Sequence, residues 1–79
     1  MICKENKLIV NGISLGPYTR LSQKNFKNQD LSGVDLTGSN MKYAHFDNAN
    51  LSGAILTGAD MSTADFNGVN FSNATFNKT

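Results

Sequence analysis

The sequence predicts an all-β solenoid with four sides to each coil, about three coils long, preceded by a short β-hairpin. Three observations predict it. Stepping by five from Leu21 meets a large apolar residue every time: Phe26, Leu31, Leu36, Met41, Phe46, Leu51, Leu56, Met61, Phe66, Phe71 and Phe76. Neither an α-helix, with its period of 3.6, nor a flat strand, with its period of 2, keeps every fifth residue on one side. A second register, two residues earlier, holds Val34, Ser39, Ala44, Ala49, Ala54, Ala59, Ala64, Val69 and Ala74, nearly all small. Finally, like falls on like at a spacing of 20. The columns are Phe26, Phe46, Phe66; Leu31, Leu51, Phe71; Leu36, Leu56, Phe76; and Leu21, Met41, Met61. A three-sided coil would set Phe26 on Met41 and Leu56, with no such order.

The elements follow in chain order. Residues 1–20 form one expected unit, an N-terminal hairpin that caps the coil or serves as a docking arm. Within it "KLIVNGISLG" (7–16) sets Asn11-Gly12 between two apolar runs, the strongest short hairpin signal. "GPYT" is then the turn into the coil. Residues 21–79 form the repeat. Lys24 and Gln29 occupy the small inward register, so they are expected to point out or lie at an edge, and regular coiling to start near Phe26 to Leu31. Before most large residues stands Asp or Asn: Asn25, Asp30, Asp35, Asn40, Asn50, Asp60, Asp65, Asn70. That register reads as the solvated face. After the large residue comes Ser, Thr or another polar residue, then often Gly, as at Gly33, Gly38, Gly53, Gly58 and Gly68. Glycine there suits a corner with positive φ, and Asn48 and Asn73 are the usual substitutes. Phe66, Phe71 and Phe76 gather in the last coil, where rings plug an open end or receive another subunit.

The repeated unit, A-[DN]-[LFM]-[ST]-G over about residues 21–78, resembles the pentapeptide-repeat family. The resemblance implies a right-handed, four-sided (quadrilateral) parallel β-helix. Each side is one pentapeptide, and the large and the small residue both point inward. Coils pair like strands, so they should lie ~4.8 Å apart, and three make a rod only ~14 Å long. Each buried Leu, Phe or Met contributes ~1.5–3 kcal/mol. A one-dimensional stack of such side chains explains how 79 residues hold together without a staple.

Composition narrows the function. With one cysteine, Cys3, there is no internal disulfide, and Cys3 reads as an unreactive thiol suited to a reducing compartment. No Cys and His share metal-ligand spacing, so neither metal nor other cofactor is expected. The opening "MICKENKLIV" is broken by Lys4, Glu5 and Lys7 and does not read as a signal peptide. No run approaches the ~20 apolar residues of a membrane span. The expected location is cytoplasmic, or a virion if a virus encodes the chain. Net charge is +1. Lys4, Lys7, Arg20 and Lys24 against Glu5 leave residues 1–25 at +3, while Lys27, Lys42 and Lys78 against Asp30, Asp35, Asp47, Asp60 and Asp65 leave residues 26–79 at −2. There is no basic stripe for nucleic acid.

No catalytic constellation is legible. A 20-residue coil would stack Asp65 on His45, but without a nucleophile or pocket the pair implies no reaction. Tyr43, at a corner where Gly is usual, and Ile55, where Asp or Asn is usual, break the outward pattern. With His45 and Phe76 they are the candidate partner contacts. The reading is therefore a non-enzymatic structural or interaction module. It would act as a small subunit, clamp or decorating component of a larger assembly such as a viral particle, binding a protein partner or itself through coil ends. The alternative, implied by the family, is a DNA mimic that binds and protects gyrase, a type II topoisomerase. Duplex DNA carries a charge about every 1.7 Å, and the outward register here holds too few acids for that. A host-directed effector domain is a third reading, and it needs a longer partner domain.

Overall fold

The structure, a computed structural model, describes residues 8–10 and 12–77. Two short strands, β1 (Leu8–Val10) and β2 (Ile13–Leu15), pair antiparallel with Leu8 opposite Leu15 and Val10 opposite Ile13. This is the expected hairpin. Asn11, half of its turn signal, and Cys3 lie outside the described residues, while Gly12 has the positive φ (77°) that such turns require.

From Arg20 onward the chain pairs with itself in parallel at a constant offset. Arg20 bridges Asn40, which bridges Asp60; Asn25 bridges His45, which bridges Asp65; Asp30, Asn50 and Asn70 form a third ladder; and Asp35, Ile55 and Thr75 a fourth. Each step is 20 residues, so one turn consists of four pentapeptides. The hydrogen bonds repeat as regularly. Leu31 N–H donates to the Asn50 carbonyl at 2.7 Å, and Asn50 N–H donates back to the Gln29 carbonyl at 2.9 Å. Corners pair too, as where Gly33 N–H donates to Ser52 O at 2.8 Å. Successive layers thus satisfy each other's backbone, the condition a buried coil must meet.

Within each pentapeptide the large residue's carbonyl accepts from the residue three on, as in Lys24 N–H to Leu21 O at 3.1 Å. The third residue of that turn always has positive φ, from Gln23 (63°) through Gly33 (74°) and Tyr43 (61°) to Asn73 (61°). This is the geometry of a type II turn, whose third position favours glycine or asparagine. A left-handed residue every fifth position turns the chain without disturbing the inward register.

That register forms the core. Leu21, Phe26, Leu31, Leu36, Met41, Phe46, Leu51 and Leu56 are fully buried, and Val34, Ser39, Ala44, Ala49, Ala54 and Ala59 are buried beside them. The Phe26 and Phe46 rings lie 5.3 Å apart at 14°, and Phe46 and Phe66 lie 5.3 Å apart at 5°. Offset stacks of this kind add about 0.5–1.5 kcal/mol beyond burial.

Two expectations need correction. Coiling does not wait until Phe26: the first ladder starts at Arg20, and Tyr18 N–H already donates to Thr37 O at 2.7 Å. Lys24 does not break the coil because its side chain is exposed while its backbone keeps the pattern, its carbonyl accepting from His45 N–H at 2.9 Å. Nor is Phe76 enclosed with Leu36 and Leu56. It is 42% exposed, with no layer of the described residues stacked over it.

Candidate functional site

The two ends of the stack differ. At the N-terminal end the hairpin supplies Val10 and Leu15 to the same buried cluster as the coil. Ser39, a fully buried polar residue in the small register, ties the join: its hydroxyl accepts from Thr19 N–H at 3.0 Å and donates to Gly16 O at 3.2 Å. At the other end Met61, Phe66 and Phe71 are only partly buried. Phe66 and Phe71 tilt at 50°, and Phe71 meets Phe76 edge-on at 65°, so the parallel stack ends in a splayed ring cluster.

Along the sides, the outward Asp and Asn prove to be more than a solvated face. Each accepts, through Oδ1, the N–H two residues on: Asp30 from Ser32 at 3.1 Å, Asp35 from Thr37 at 3.1 Å, Asn50 from Ser52 at 3.0 Å, Asn70 from Ser72 at 2.9 Å. At Asp35, Asp60 and Asn70 the hydroxyl two residues on donates as well. The corner is thereby capped from within its own repeat. The Ser32 N–H lowers the Asp30 carboxyl below its usual range, and the Ser62 hydroxyl and N–H do the same for Asp60. The sequence carried this signal in its Asp-x-Ser and Asn-x-Ser spacing.

In the ladder of Asn25, His45 and Asp65 only Asn25 keeps the rule, its Oδ1 accepting from Lys27 N–H at 3.0 Å. His45 Nδ1 lies 3.1 Å from Asp65 Oδ2, across one layer. Asp47 follows the inward Phe46 at the position where other repeats place a donor, and its Oδ1 is buried with no hydrogen-bond partner. One donor atom from each of His45, Asp47 and Asp65 lies within 4.8 Å of the others. The 20-residue period brings His45 and Asp65 together in the sequence, but it gives no sign that Asp47 joins them. Beside it runs a corner, Gln23, Tyr43 and Thr63, with positive φ and no glycine or asparagine.

The candidate contacts do not share one surface. Tyr43 (53% exposed) adjoins the His45 ladder, whereas Ile55 (38% exposed) lies two ladders away, on the opposite side. Phe76 belongs to the open end. Among the described residues, no helix is long and apolar enough to cross a membrane.

Comparison with known proteins places the chain. The model of the family "Pentapeptide repeats" matches residues 18–46 and 44–79, in 8 copies. A pentapeptide repeat protein (Rfr23) from the cyanobacterium Cyanothece 51142, known from a crystal structure, superposes with a TM-score of 0.67 at 30% identity. The match covers 76% of this chain and 45% of that one, so this chain spans less than half of its neighbour's length. No curated protein matches.

Proposed function

We infer, from the premise that this chain belongs to the pentapeptide-repeat family, that it is a non-enzymatic protein-interaction module built as a right-handed quadrilateral β-helix of about three coils. The hairpin caps its N-terminal end. The observation that carries the reading is the asymmetry of the ends: Val10 and Leu15 cover one, while Met61, Phe66, Phe71 and Phe76 leave apolar surface at the other. An uncovered layer of a solenoid combines that surface with unpaired backbone groups, and both are satisfied by a partner that adds the next layer. The module therefore acts as a small subunit or clamp, joined to a larger assembly through its last coil. The sides do not favour gyrase protection, since the acids are scattered and Asp30, Asp35 and Asp60 are committed to their own turns.

The test is native size fractionation of the source extract, wild type against Phe76→Asp. The expected result is wild type migrating well above its own 8.5 kDa, and Phe76→Asp released to its own mass with β-rich circular dichroism intact. Wild type running alone, or Phe76→Asp staying in the assembly, overturns the proposal.

A further inference from the structure

At His45 and Asp65 the repeat gives up its own turn chemistry. At 25, 30, 35, 40, 50, 60 and 70 an acceptor before the large residue takes the N–H two residues on. Around Phe46 the order inverts, with an imidazole before the ring and the Asp47 carboxylate after it. Asp65 directs Oδ2 at His45 Nδ1, 3.1 Å away in the previous layer. Asp47 Oδ1 is buried and unpartnered, a costly condition for a carboxylate oxygen. A proton shared between His45 and Asp65 does nothing for Asp47. A cation held by all three neutralises the Asp47 carboxylate, and one donor atom from each residue already lies within 4.8 Å of the others.

We propose that His45, Asp47 and Asp65 bind one divalent transition-metal ion of the zinc class, which clamps two successive layers of the coil. The donor set selects the ion. Magnesium and calcium take six or more oxygens, whereas one imidazole, two carboxylates and a water complete a tetrahedral zinc sphere. Donors about 2.0–2.2 Å from a tetrahedral ion stand roughly 3.4 Å from each other. The His45–Asp65 pair, 3.1 Å apart, is already near that separation, and the remaining separations are at most 4.8 Å. The ion binds Nδ1 of the neutral ring in the tautomer that carries its proton on Nε2, so a proton bridging Nδ1 and Asp65 moves to Nε2 or to solvent. The site is independent of the apolar end, so its test does not depend on any partner.

Calorimetric titration of the full chain with zinc chloride, and separately with magnesium chloride, tests it. The expected result is one zinc per chain and no magnesium binding. His45→Gln and Asp47→Asn should each weaken zinc at least about tenfold, with Asp35→Asn, on the opposite side, unchanged. Asp65→Asn gives the same reading should His45→Gln disturb folding, which circular dichroism in chelator reports. Absence of saturable zinc binding overturns the proposal. So does wild-type affinity in the His45 and Asp47 variants, or loss of binding in Cys3→Ser, which would place the ion on the thiol.

Discussion

Thr63 has a φ of 58°, a left-handed conformation that a β-branched residue seldom adopts. Asn28, Asn48 and Asn73 take the same conformation at equivalent corners, where a short polar side chain tolerates it. The difference is local strain of about 1 kcal/mol. Thr63 is exposed, so little packing offsets that strain. Thr63→Asn is therefore expected to stabilise the chain by up to about 1 kcal/mol, raising Tm by roughly 4 °C in a domain of this size. Thermal unfolding followed by circular dichroism checks it, and an unchanged or lower Tm would show that the corner is not strained. Asn was legible as a corner residue from its place in the repeat. Thr63 and Gln23 were not, because the backbone ladder, rather than local preference, holds them there: Gln23 N–H donates to Lys42 O at 3.0 Å.

At the scale of one coil, burial depends on neighbours above and below. Phe46 is fully buried between Phe26 and Phe66, whereas Phe76 is 42% exposed. Phe46→Ala is expected to cost about 3–5 kcal/mol, a large share of the roughly 5–15 kcal/mol that holds a small domain together. Phe76→Ala should cost well under half as much in the isolated chain. Urea unfolding of both variants measures this, and equal losses would mean that the end ring is covered. The five-residue period and the 20-residue columns made this layering legible, since a buried register must repeat wherever the coil does. The hairpin was legible for a different reason, its turn chemistry. Two features escaped because they depend on contacts between layers. Ser39 reads as a weak alanine in its register, yet it bonds both Thr19 and Gly16 at the join. Asp47 reads as one more polar residue after a ring, yet its Oδ1 is buried without a partner and its carboxylate lies close to His45 and Asp65.

For the whole molecule, the ladder predicts its own gradient of stability. In a stack whose layers contact only their neighbours, an amide opens when the layer above it separates. The inward amides of the middle layer have such a partner: Phe46 N–H donates to Asp65 O at 2.9 Å, and Leu51 N–H to Asn70 O at 2.8 Å. For Met61, Phe66 and Phe71 the structure gives no equivalent acceptor among the described residues. Hydrogen exchange on the isolated chain at low concentration should therefore show Phe46 and Leu51 among the most protected amides, and Met61, Phe66 and Phe71 exchanging close to unprotected rates. Raising the concentration separates two ways of covering the end. Should protection of Met61, Phe66 and Phe71 rise with concentration while Phe46 stays unchanged, a second copy supplies the next layer. Should they stay unprotected at every concentration, the covering layer belongs to a different protein, and the same amides become the reporters for it. Protection of all three already present at the lowest concentration, in a chain of its own mass, would contradict the open end and with it the contact surface proposed for the module.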